Sequence, residues 1–134
     1  MPRPGGRRPH ARCERGSAVV DAVLVLVVLV PMVLGVIQVA LVMMVRNTLA
    51  AAASEGARYA ATVDRGPEDG VALTRRQIDG AIAARYARDV RARPATVGGA
   101  PGVEVVVSAE VPALGLLGPA VDLTVSGRAV EELP

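Results

Sequence analysis

The sequence predicts an α+β protein with a single N-terminal transmembrane helix. That helix continues into an extracytoplasmic helix, followed by a second helix and a C-terminal antiparallel β-hairpin. Three observations predict this. Residues 22–45 form an apolar run with no charge between Asp21 and Arg46. A charge-bearing stretch with a thin apolar stripe follows. Strict apolar/polar alternation closes the chain. With 134 residues, one membrane segment leaves room for one small domain.

Residues 1–16 form a basic leader, rich in Pro, Gly and Arg and without apolar periodicity. They hold Arg3, Arg7, Arg8, Arg12 and Arg15 against Glu14, whereas the chain as a whole carries a net charge of only +2. Every one of the 15 basic residues is arginine. A basic patch on a folded domain would point to nucleic acid. Here the excess lies in the tail before the apolar run, so no nucleic-acid partner is expected. The positive-inside rule places that tail in the cytoplasm and the C-terminal domain across the cytoplasmic (inner) membrane.

Residues 17–45 are assigned as the span. As a helix, residues 22–45 would reach about 36 Å at ~1.5 Å per residue, enough for membrane lipid with a hydrocarbon core of about 30 Å. A chain this small cannot surround such a helix with protein. A cleaved export signal fits poorly, because its apolar region is usually about 7–15 residues. Pro31 removes one backbone hydrogen bond within the span, which membrane helices tolerate when neighbours compensate. Gly35 lies one turn later on the same face, so the pair reads as a kink or as a bend used in packing.

Residues 46–134 are expected to form a small α+β domain. The first helix continues past Arg46, with Ala52, Gly56 and Ala60 as a ladder of small residues that admits another backbone. The segment 64–70 reads as a loop. A second helix is expected over residues 71–90, with Leu73, Ile78, Ile82, Tyr86 and Val90 as its apolar stripe. Residues 92–102 read as a Pro/Gly linker. Val103, Val105, Val107, Ala109 and Val111 then alternate with Glu104, Ser108 and Glu110, with Val106 as the exception. Val121, Leu123 and Val125 alternate with Asp122, Thr124 and Ser126. These are two half-buried strands, with a hairpin as their simplest pairing. With no Phe, no Trp and 2 Tyr, the core must be aliphatic.

The catalytic inventory is thin. His10 is the single histidine and lies in the leader, so no Ser-His-Asp or Cys-His site can form within the domain. Cys13 is the single cysteine, which excludes an intrachain disulfide. Asp64, Glu68 and Asp69 do not match the spacing of an EF-hand loop. No lysine is present for a phosphate loop. The expectation is no enzyme, no metal and no cofactor.

The residues that carry function lie where leader meets span. Asp21 sits one turn into an apolar helix, where a carboxylate is costly. One reading makes it the interfacial start of the span, where a helix N-terminus favours an anion. The other is proteolytic processing between Gly16 and Ser17. The new ammonium on Ser17 would then lie one turn from Asp21, and the two charges would neutralise each other within one chain or between stacked subunits. An unpaired charge in that medium is heavily penalised.

Gly16 with an acid five positions later resembles the type IV prepilin cleavage signature. Arg15-Gly-Ser-Ala-Val-Val-Asp21, Pro31, Gln38, Arg46-Asn47 and Ala52-Ala-Ser-Glu-Gly-Ala-Arg-Tyr-Ala60 together resemble the TadE-like pseudopilins of the tight-adherence pilus system. The resemblance spans about residues 15–61. It implies a minor pilin or assembly pseudopilin, cut after Gly16 by a membrane aspartic prepilin peptidase. The implied partners are other pilin and pseudopilin subunits, pilus platform proteins and secretin-like pores. Asp21 is one methylene shorter than the glutamate usual in that family. The rival expectation is an uncleaved, membrane-anchored binding or scaffolding module of the cell envelope.

Overall fold

A computed structural model describes residues 14–112 and 120–132, with side chains from Ala18 onward except that of Ile82. Most of the leader, including His10 and Cys13, lies outside the described residues. Helix α1 runs from Glu14 to Ala60 and contains Pro31. The chain divides into two compact units, residues 1–37 and residues 38–134.

In the first unit, α1 is apolar on all sides. From Ala18 to Ile37 every side chain is exposed except that of Leu34, which is half-buried. Val19, Leu24, Val28, Met32 and Val36 are each about half or more exposed although they point in different directions. An aliphatic helix with no buried stripe lacks the amphipathicity of a helix that packs on a soluble core. It has the length and composition of a membrane span.

The second unit begins at Gln38 with the last turns of α1. Helix α2 spans Pro67–Asp79 and a short 3₁₀ turn spans Ile82–Tyr86. Strands β1 (Ala87–Val97), β2 (Ala100–Val111) and β3 (Val121–Val130) form an antiparallel sheet in the order β1-β2-β3. The α+β class, the long apolar helix, the second helix and the antiparallel pairing are as the sequence predicts.

The second helix differs in extent from the expected 71–90. It starts earlier because Pro67 supplies a helical φ at the first turn, where its missing N–H costs nothing. The Gly66 N–H donates to the Asp69 carboxylate at 3.0 Å, and Glu68 and Asp69 favour the positive helix end. It stops at Gly80. The expected helical stripe is therefore shared among three elements. Ile78 lies on α2, Tyr86 in the 3₁₀ turn and Val90 on β1, and all three are buried.

Residues 87–97, read as helix end and linker, form a third strand. Val90 and Ala92 turn inward while Arg91 and Arg93 turn outward, a period of two hidden by long arginines. Pro94 is tolerated because β1 is an edge strand. Gly98 and Gly99, at φ 59° and 89°, close a two-residue turn between Val97 and Ala100. Both left-handed φ values match the twist of the flanking strands.

The core is aliphatic. Val103, Val105, Val107, Ala109 and Val111 are buried as the alternation predicts. Val125 joins them, Leu123 is half-buried and Val121 is exposed. From α1 the core takes Val45, Leu49, Ala53 and Ala57. Leu41 and Val42, inside the stretch assigned to the span, pack against the same cluster.

Candidate functional site

Three groups of residues bear on function. The first is the N-terminal end of α1. Gly16 and Ser17 already have helical backbone, and the side chain of Ser17 is outside the described atoms. Asp21 is exposed, with no ion pair among the described residues. A Cβ on Gly35 would meet nothing within 4 Å. The first unit therefore presents Asp21, Pro31 and Gly35 on an uncovered helix.

The second group is the ladder of small residues on α1. Gly56 faces Gly70 and Thr74 of α2 so closely that a Cβ on Gly56 would collide with the Thr74 hydroxyl. A Cβ on Gly70 would lie 2.6 Å from the Gly56 carbonyl oxygen and 2.7 Å from Ala60 Cβ. Thr74 Oγ1, fully buried, donates to the Gly70 carbonyl at 2.8 Å and lies 3.4 Å from that of Ala52. The backbone that Ala52, Gly56 and Ala60 admit is thus that of α2 in the same chain. On another side of α1, a Cβ on Gly127 of β3 would strike the backbone of Ala53 and Ser54. Gly70, in the segment expected as a loop, lies on α2. A glycine inside an alternating strand, as at Gly127, signals close backbone approach.

The third group lies on the outer sheet face and was not anticipated. Glu104, expected on the solvated side, is 3% exposed. Its register partners are Arg93 on β1 and Arg128 on β3. Arg93 Nε donates to Oε2 at 2.7 Å and Arg128 Nε to Oε1 at 2.8 Å. The two guanidinium groups clasp the carboxylate and cover it, while the arginine side chains themselves stay largely exposed. Hydrogen bonds from Arg128 and then Arg93 hold the Glu104 carboxyl below its ordinary range, against the opposing effect of burial. Arg88 pairs with Glu110, and Arg91 with Asp89, on the same sheet. The signal existed in the sequence, but it appears only once residues 87–97 are recognised as a strand.

These features define a class: an α+β protein with an N-terminal helix long and apolar enough to cross a membrane, whose last turns form part of the core of the second unit. Residues 16–58 match the family model of TadE-like proteins, so the resemblance drawn from the sequence is borne out over that segment. No curated protein and no solved structure matches the chain.

Proposed function

We propose that the chain is a structural assembly pseudopilin, or minor pilin, of a tight-adherence-type pilus or related secretion apparatus. The observation that carries this reading is the TadE-like match, which begins at Gly16, the residue preceding the expected cut. The uncovered apolar helix after it supports the same reading, since such a surface suits lipid before assembly and neighbouring helices after it. In this reading a prepilin peptidase cuts after Gly16, and the ammonium of Ser17 pairs with Asp21. The leader faces the cytoplasm and the domain lies outside the inner membrane. Partners are pilin or pseudopilin subunits and platform proteins, and the role is non-catalytic.

The test is the mass of the mature protein from its native host. Wild type should lack residues 1–16, and Gly16→Leu should retain them. Equal masses would leave the uncleaved envelope module as the better reading.

A further inference from the structure

The two edges of the sheet differ. The β1 edge is blunted in three ways. Its start is bulged between Ala87 and Asp89, Pro94 has no N–H to offer, and the Val90 carbonyl accepts from Arg75 Nη2 at 3.5 Å. Such devices keep a strand from pairing with another chain. Strand β3 has none of them. Its register with β2 runs unbroken from Val121 to Val130, and it contains no proline.

The Glu131 N–H donates to the Pro101 carbonyl at 3.0 Å. Carried back along the register, that bond turns the backbone groups of odd-numbered residues toward β2 and those of even-numbered residues toward the open edge. Asp122, Thr124, Ser126, Arg128 and Val130 are all exposed. Among the described residues, no hydrogen bond reaches that side of the backbone between Asp122 and Val130. The open stretch ends at Glu132, whose N–H is taken by the Ala61 carbonyl at 2.9 Å.

The edge also has an order of charge. Asp122 makes no ion pair among the described residues, and its register partner is another acid, Glu110. Six residues on, Arg128 gives its Nε to Glu104 and keeps 59% of its side chain exposed. Glu104 serves Arg93 as well, so that row keeps one positive charge in excess. An incoming strand therefore meets an acid at one end and a base at the other, about 20 Å apart at the rise of an extended chain.

We propose that β3 is the docking edge for an extended segment of a partner protein, added antiparallel as a fourth strand, with a basic side chain opposite Asp122 and an acidic one opposite Arg128. Helix α1 excludes a second copy of β3. In the second unit it lies along that strand, with Gln38 bonded to the Pro112 carbonyl and Ala61 bonded to Glu132. Between these points a Cβ on Gly127 would strike the backbone of Ala53 and Ser54. Two copies joined through this edge would hold two such helices near the ~4.8 Å spacing of paired strands, where packed helices need about 8–10 Å. The occupant is thus a strand with no helix over it. The inference rests on the second unit alone and does not depend on the pilus reading.

A free peptide with the sequence of residues 121–130 is such a strand. Turned end for end, it sets its arginine against Asp122 and its aspartate against Arg128. Added to the full chain in detergent micelles, it should shift the amide resonances of Asp122, Thr124, Ser126 and Arg128 and leave those of β1 in place. Exchanging the aspartate and arginine within the peptide should weaken binding about tenfold. Methylating the peptide nitrogens of its threonine and first serine, which face β3 in this register, should abolish binding. All changes are made in the peptide, so the fold of the protein is not at issue. No binding, equal binding of the three peptides, or shifts centred on β1 overturns the proposal. So do β3 shifts that follow protein concentration without peptide, because a second copy then fills the edge.

Discussion

Glu104 shows how far a single residue's environment can depart from its place in a pattern. Its alternation with Val103 and Val105 put it on the outer face, and it is there. Its burial comes from Arg93 and Arg128, which reach it only because β1 and β3 flank β2 in register. Its pKa lies below the ordinary value of 4.5, so the carboxylate's contribution is complete above that pH. It is lost as pH falls through the lower folded value. In urea unfolding, the stability gap between wild type and Glu104→Gln should be constant near neutrality and close in acid. A gap that widens in acid would contradict the assignment. Gly56 and Gly127 act by absence of a side chain. Gly56→Ala and Gly127→Ala should each cost about 1–3 kcal/mol through forced backbone displacement, read as a lower urea midpoint. Serine in place of exposed Gly66, where a Cβ meets nothing within 4 Å, should cost far less.

At the scale of elements, legibility followed the strength of the period. The apolar run is long and the β2 alternation is interrupted only at Val106, so both could be read directly. Strand β1 was hidden because its outward positions are arginines, its start is bulged between Ala87 and Asp89, and Pro94 interrupts it. A charge-rich stretch with sparse apolar residues fits a helix stripe as readily as one strand face. The Gly98-Gly99 turn was a local hairpin signal, masked by the surrounding Pro and Gly. Because both residues sit at positive φ, Gly98→Val with Gly99→Val should strain the turn and destabilise β1 selectively. Hydrogen exchange should quicken in residues 87–97 before it does in β2. Uniform quickening across all three strands would show instead that the sheet opens as one unit.

For the whole molecule, the second unit begins at Gln38, so residues 38–45 belong both to the apolar run and to that unit. A hydropathy pattern cannot mark that boundary, because lipid and a protein core both select Leu and Val. Val45 and Leu49 are 2% and 0% exposed, and losing a buried leucine alone costs about 2–5 kcal/mol. A fragment of residues 38–134 should therefore unfold cooperatively, whereas one of residues 50–134 should show no cooperative transition by circular dichroism. The candidate site was legible only where it lies on α1. Its partners on α2 and β3 depend on tertiary approach, which glycine positions hint at but do not specify.

The sharing of α1 between the exposed apolar run and the core of the second unit has a consequence for turnover. A protease that clips the chain between Val45 and Leu49 would not release an intact second unit. It would strip the aliphatic lining from beneath the sheet and leave a remnant open to further digestion. The second unit begins at Gln38, so a cut between Val45 and Leu49 cannot release it intact.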